Sequence, residues 1–361
     1  MEQLSNRLSK VFSDYPELFN NCVKVYQKRV DYYRLTSEGQ KILQPDTVFH
    51  ITARASIKTD GNEVKTEYYR LHVGGINDLP SEDALIGELH RFAEYMQQKN
   101  RAKAVEDLYI GPVLYEDDAA MELLAEKIAD YSHSYWISIR NQSDRKHRYL
   151  GKQVFPPALS VCQLGNDSVY NGVKLLGYRQ VDADGTKPKT LPIIEKGILK
   201  HMLTGRTPSL GCPASTGNEH FDGLSRTLET RYTAGVFRVT SNRPVPYSKL
   251  YKRFLKAAKK AGLEHTYIIR KNRTSPYALI RVDLSTGKEE LVEGNYNSPS
   301  REQFKRMHAI SKEENVYNLD PAGGKGLGII SPKAILLEDM ELDITPSRAR
   351  HIDEAFYELR H

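Results

Sequence analysis

The sequence predicts an α+β fold in which β-rich antiparallel sheets carry packed helices. Three observations predict it. Residues 21–73 alternate apolar and polar side chains in strand fashion, broken by the turn signals "TSEGQK" and "KTDGNE". Residues 81–99 change to helical spacing behind the opening "PSED". From residue 135 on, short apolar segments such as "LSVCQL", "YTAGVFRVT" and "YALIRVDL" are separated by Gly, Pro and Asp, the pattern of an antiparallel β-rich region with a few helices.

In chain order, the apolar residues of "MEQLSNRLSKVFSDYPELF" fall on one helix face, which places a first helix near 3–14. An antiparallel meander follows over 21–73. Ser81 then caps a helix whose first turn holds Glu82 and Asp83, where the helix dipole favours acids. The polar linker "NRAKAVED" marks a boundary near residue 105, followed by a short strand, "LYIGPVLYE" (108–116). Residues 117–131 read as an amphipathic helix, capped by Asp117 or Asp118 and burying Ala120, Leu124 and Ile128. Further on, "KLYKRFLKAAKK" (249–260) sets Lys and Arg around a stripe of Leu250, Phe254, Ala257 and Ala261 and ends at Gly262, suited to a helix C-cap. "VDLSTGKEELVEG" is a hairpin turning over Ser285 to Lys288. A terminal helix is expected from Pro346. The domains expected are therefore 1–105, 106–345 and a terminal helix, 346–361.

Bulk properties exclude several classes. With 361 residues, 39% hydrophobic and 27% charged, the chain can bury a core and lacks the signature of disorder. No run of 18 apolar residues exists and the N-terminus does not look like a secretory signal, so neither a membrane partner nor export is expected. Cys22, Cys162 and Cys212 are isolated, which argues against a disulfide framework or a cysteine zinc site and fits a reducing cytoplasm. The formal charge of +6 does not by itself call for nucleic acid. The basic helix at 249–260 could bind phosphate or a membrane surface, but a solvated outer face is the commoner use of such a pattern. The 22 Tyr residues are scattered and suit either strand packing or a partner interface.

Several motifs recur in the order and spacing of one family. "YRLTSEGQKIL" (33–43), "GPVLYEDDAAMELL" (111–124), "LGKQVFPPALSV" (150–161), "DADGTKPKTLPIIEKGILKHMLTGRTPSLG" (182–211), "STGN" (215–218) and "GIISPKAILLEDMEL" (328–342) together resemble the TldD/PmbA family, known as modulators of DNA gyrase and as zinc-dependent peptidases. The resemblance covers most of the chain from about residue 30. It implies a TldD/PmbA-like C-terminal domain preceded by a shortened N-terminal α/β region.

The resemblance also implies where zinc would sit. In the active branch of the family the helix after the "GPVL" strand carries HExxxH, and a later cysteine adds a ligand. Aligned on Leu123 and Leu124, that motif places Ala125 at the first histidine, Glu126 at the glutamate and Asp130 at the second histidine. The segment "NLDPAGGKGLGIISP", where the cysteine is expected, contains none. Glu126 is thus a vestige of a catalytic site, and no metal ligand set or cofactor is expected in this chain. Two imidazoles five residues apart converge on one ion only if the helix is bulged. A helix without them can be regular.

Other residues could rebuild a site. Glu126, Asp130 and His133, at i, i+4 and i+7, would line up two carboxylates and an imidazole for a hard cation, although exposed helices commonly show such a face. In "CPASTGNEHFDG", the family resemblance places Ser215, Thr216, Gly217 and Asn218 on the substrate-facing surface, where amides and hydroxyls can hold peptide backbone. The equal alternative is that Gly217 and Asn218 serve only to supply positive φ for a tight turn. Ser215 with His220 lacks the GxSxG elbow of a serine hydrolase. "DPAGGKGLG" (320–328) lacks the spacing of a phosphate loop and reads as a turn.

The expected function is therefore a non-catalytic subunit in peptide maturation, a pseudoenzyme paired with an HExxxH-bearing relative that holds the zinc, or with itself as a dimer. It would grip extended peptide by strand addition and polar loops. A nucleic-acid or gyrase-associated binding protein is the alternative, although nucleic acid is not the partner expected first. An active peptidase with other ligands is a third.

Overall fold

The computed structural model describes residues 1–58, 64–132, 146–207, 211–221, 230–232, 235–319 and 326–344. The fold is α+β, with β-rich sheets and few helices.

The N-terminal layer follows the periodicity closely. Helix α1 (Glu2–Ser9) and a 3-10 turn (Lys10–Asp14) lead into β1 (Leu18–Leu35), β2 (Lys41–Lys58) and β3 (Val64–Val73), an antiparallel sheet in the order β1-β2-β3. One face is apolar: Phe49, Ile51, Ala53, Tyr69 and Leu71 are buried against α1 and α2 (Glu82–Arg101), whose Leu85, Leu89, Phe92, Ala93 and Met96 complete the cluster. Ser81 accepts a hydrogen bond from the Ala84 N–H and caps α2 as expected. The outer half of the β1–β2 hairpin lies along residues 179–206, joined by Arg34–Asp184 (2.8 Å), Asp46–Arg179 (2.9 Å) and Glu38–Arg206 (2.7 Å).

After the short β4 (Lys103–Ala104), β5 (Asp107–Asp117) runs through a seven-stranded sheet, longer than its sequence pattern suggests. Its order is Met307–Ile310, Ala334–Ile344, β5, His265–Lys271, Ala278–Asp283, Glu289–Glu293, β4. A six-stranded sheet runs Ile198–Leu199, Leu191–Glu195, β6 (Leu159–Gln163), Val236–Ser241, Leu327–Pro332, Glu314–Leu319. Neither is purely antiparallel. β5 pairs in parallel with His265–Lys271, β4 with Glu289–Glu293, and Val236–Ser241 with Leu327–Pro332. The stretch "GIISPKAILLEDMEL" is split between two strands, because the chain leaves one sheet at Pro332 and enters the other at Ala334.

Helix α3 (Asp118–Ser132) follows β5 directly. Asp117 makes the turn with a left-handed φ of 54°, its N–H bonded to the Lys333 carbonyl at 2.8 Å. Ala120, Leu124 and Ile128 are buried as their spacing predicts, in one cluster with Val113 and Tyr115 of β5 and with Val161, Ile193 and Ile329 of the six-stranded sheet. Helix α3 therefore shares its core with both sheets. The other face of the seven-stranded sheet, through Leu114, Ile268 and Leu336, packs on α4 (Tyr247–Lys260). Leu250 and Phe254 are buried there as expected, but Ala258 replaces Ala257 and Ala261 in the stripe. It lies four residues beyond Phe254, one turn on along the same face. Gly262 closes α4 at φ 72°. Gly287 turns the expected hairpin at φ 73°. Its Asp283 accepts from the Ser285 hydroxyl and the Thr286 N–H, which holds the carboxyl below the usual range. The three cysteines are free thiols. Among the described residues no helix is long and apolar enough to cross a membrane. The expected terminal helix from Pro346 lies outside the described residues.

Candidate functional site

A cleft of about 800 Å³ opens between the N-terminal sheet and the first turns of α3. Strand alternation makes one wall. With the odd positions of the sheet turned to α1 and α2, the even positions present Tyr26, Lys28, His50, Thr52, Tyr68, Arg70 and His72 to the cleft. The facing wall comes from four places: Asp118 and Glu122 on α3, Lys271 to Arg273 after the His265–Lys271 strand, Tyr317 to Leu319, and Asp78 near α2.

The facing wall is internally paired. Glu122 accepts from Lys271 Nζ at 2.5 Å and from the Tyr317 hydroxyl at 2.8 Å. Burial, then the neighbouring Glu122 carboxylate, raise the Tyr317 pKa. Arg273 forks onto Glu88 of α2 at 2.5 and 3.0 Å, and Tyr69 donates to the same carboxylate at 2.6 Å. Burial works to raise the Glu88 pKa, but the hydrogen bonds from Arg273 and Tyr69 overcome it and the net shift is downward. On the sheet wall His50 and His72 are direct cross-strand partners whose Nδ1 atoms lie 3.0 Å apart, and Tyr26 stacks on His50 at 4.6 Å.

Asp118 is the perturbed carboxyl of the cleft. Burial first, and then Glu122 and Asp117, push its pKa to about 7 against the opposing pull of Lys271 and Arg273. The folded state therefore holds this proton to higher pH than the unfolded chain, so stability falls as pH rises from the ordinary carboxyl range through about 7. Asp118→Asn should remove that slope. Denaturant titrations should show the variant gaining about 1–3 kcal/mol on the wild type between pH 4 and pH 8; parallel stability–pH curves would refute the assignment.

The residues singled out in the sequence fall elsewhere. Ala125, which the resemblance sets at the first histidine of the motif, is half-buried and packs its methyl group against the core. Glu126 does not line the cleft; its half-exposed carboxylate takes a hydrogen bond from Ser298 Oγ at 3.0 Å and pairs with Lys127 Nζ at 2.7 Å. The side chains of Asp130, His133 and His220 lie outside the described residues, as do 320–325 of the glycine-rich segment. Among the described residues no group of three or more His, Cys, Asp and Glu side chains is placed to hold a metal. A methyl group and one carboxylate bonded elsewhere do not fit zinc.

The 215–218 loop is built inward. Thr216 is 8% and Asn218 1% exposed. Thr216 Oγ1 accepts from the Thr204 N–H at 2.7 Å and lies 2.8 Å from Asn218 Oδ1; Asn218 and Gln163 exchange amide hydrogen bonds at 2.7 and 2.9 Å. Ser215 Oγ accepts from the Gly217 N–H at 3.1 Å. Gly217 takes the expected positive φ, 75°, and a Cβ there would lie 2.6 Å from Pro188 N; Asn218 does not take a positive φ. Asn218, through Gln163, and Thr216, whose carbonyl accepts from the Lys189 N–H at 3.0 Å, tie the loop to β6 and to the 187–190 segment, and none of the four residues lines the cleft. The cleft residues left unnoted in the sequence, His50, Arg70, His72, Asp118, Glu122, Lys271 and Tyr317, come from elements far apart in the chain. The one signal available was the run of basic and aromatic side chains at even positions of β1–β3, among them Lys24, Tyr26, Lys28, His50, Tyr68, Arg70 and His72.

The arrangement defines a class: an α+β protein with a β-meander layer leaning over a strand–helix unit set between two sheets. Solved structures share it. A protein described as a modulator of DNA gyrase from Bacteroides thetaiotaomicron matches with TM-score 0.63 at 13% identity, over 95% of this chain and 71% of its own. Another so described, from Thermotoga maritima, matches at 0.62 and 14%, over 94% and 73%, and TldE from Thermococcus kodakarensis at 0.62 and 11%, over 95% and 73%. At such identities the likeness shows the fold. Residues 110–244 match the PmbA/TldA metallopeptidase C-terminal domain. Among curated proteins no sequence relative matches.

Proposed function

We propose that this protein is a subunit without zinc ligands that takes part in peptide processing beside an HExxxH-bearing relative, its cleft lending a wall for extended peptide. The observation that carries this reading is the state of α3. The helix keeps its family position directly after β5, yet it turns Ala125 into the core and bonds Glu126 to Ser298, while a roomy cleft lies along its first two turns. A general base needs a metal or a water positioned for attack, and Glu126 has a serine hydroxyl instead.

The reading predicts that the isolated chain hydrolyses no peptide, and that affinity purification from its native host recovers it with a relative carrying HExxxH. Chelator-sensitive hydrolysis should then belong to the pair. Stoichiometric zinc in the isolated chain, with hydrolysis lost to a chelator, would overturn it.

A further inference from the structure

We propose that two copies of this chain pair through the α4 side of the seven-stranded sheet, the basic ridge of α4 in each copy lying against a bare, acidic stretch of sheet in the other. This surface is on the opposite face of the sheet from α3, whose first turns line the cleft, so the pairing does not depend on what the cleft holds.

Two observations on one face carry the proposal. The first is apolar surface where a central strand is ordinarily covered. Leu114 of β5 is buried under α4, and strand alternation puts Leu108 and Ile110 on that same face. They are 66% and 64% exposed, so α4 leaves them bare. Their cross-strand partners are Asp343 and Glu341, both exposed, and Asp339 is exposed on the same strand. Among the described residues none of these three carboxylates is matched by a cation. The second observation is unmatched positive charge on α4 itself. Lys249, Lys252, Arg253, Lys256, Lys259 and Lys260 are all exposed, α4 has no Asp or Glu, and none of the six has a carboxylate partner among the described residues. At 100° per residue they fall within about 120° of arc, in a ridge roughly 16 Å long. Leu250, Phe254 and Ala258 are buried on the other side of the helix, which points the ridge outward.

Each half lacks what the other supplies. A face carrying both is self-complementary, and a two-fold axis makes the contact twice and closes the pair. The aliphatic stems of Lys252 and Lys256 can cover Leu108 and Ile110 of the other copy while their ammonium groups reach Glu341 and Asp343. Nucleic acid or an anionic bilayer would match the ridge alone. Either would leave the apolar pair uncovered and bring negative charge towards the three carboxylates.

The test is sedimentation velocity of the full chain from about 1 to 100 µM, where a one-chain mass should give way to a two-chain mass and added salt should reverse the change. Glu341→Lys with Asp343→Lys should weaken pairing about tenfold or more, and so should Lys252→Glu with Lys256→Glu. An equimolar mixture of the two double variants should pair again, because each ridge then meets a sheet of opposite charge. A chain that stays monomeric at about 100 µM, reversals that leave pairing unchanged, or a mixture that fails to pair would overturn the proposal. A monomer that dimerises once residues 345–361 are removed would overturn it in favour of the chain's own C-terminal segment as the cover of the bare sheet. A monomer that binds a short DNA duplex, with binding lost in Lys252→Glu with Lys256→Glu, would overturn it in favour of nucleic acid on the ridge.

Discussion

Replacing Gly177 by alanine is expected to destabilise the fold by about 3 kcal/mol or more. The residue sits where the 175–178 segment crosses the parallel pair formed by Val236–Ser241 and Leu327–Pro332, whose register sets Val236 beside Gly328. A Cβ on Gly177 would press into the Gly235 carbonyl and lie 2.7 Å from Gly328 N. Those neighbours are backbone atoms fixed by sheet pairing: Gly328 donates its N–H to the Gly235 carbonyl at 3.0 Å. No rotamer change can relieve the contact, so either the crossing segment lifts from the sheet or the sheet pair parts. The packing of Leu175 with Val236 and Ile330 goes with it. A chemical denaturation midpoint measures the loss. An alanine variant within about 1 kcal/mol of wild type would show that the crossing is looser than drawn.

The second large effect is expected at Glu116. Its side chain lies at 3% exposure, one residue before the turn into α3, and accepts from Arg270 Nε at 2.7 Å and from the Tyr247 hydroxyl. It is also the cross-strand neighbour of Arg270 in the parallel β5 pairing. Burial tends to lower the Arg270 pKa, but the Glu116 carboxylate more than offsets it and the net shift is upward. Glu116→Leu keeps bulk and removes the charge. Arg270 is then left with Glu289 at 3.5 Å, and the Tyr247 hydroxyl loses its acceptor. A cost of about 3 kcal/mol follows from leaving a half-buried cation and a half-buried hydroxyl poorly matched. Adding Arg270→Leu should recover part of the loss, because the stranded charge is removed with its partner. Additive single and double losses would mean that the two groups do not interact.

Much of the architecture was legible in the chain. The period-2 run of 21–73, the Ser81 cap, the Ala120–Leu124–Ile128 spacing of α3, Gly262 after α4 and the Gly287 hairpin all became the elements they announce, because each depends on local propensity and on which face is apolar. The motifs of the PmbA/TldA domain were legible too, and so was the presence of Ala125 and Asp130 on the helix after β5, since covalent sequence alone says which donors exist. What the chain did not show was sheet partnership. The parallel pairing of β5 with His265–Lys271 joins segments about 150 residues apart, and the step at Lys333 from one sheet to the other leaves no periodic trace. The same limit governed the site. Thr216 and Asn218 read as a polar loop free to face a substrate, and tertiary packing instead turned them onto Gln163 and Thr204. His50, Arg70, Asp118, Glu122 and Lys271 carried no motif, because a cleft exists only once distant elements are brought together. By itself the sequence determined the strands, the helices and which side chains α3 carries, all matters of local geometry and side-chain chemistry. Only the tertiary structure decided which charges face each other across the cleft, because Coulomb energy and burial depend on distances through space that position along the chain does not fix.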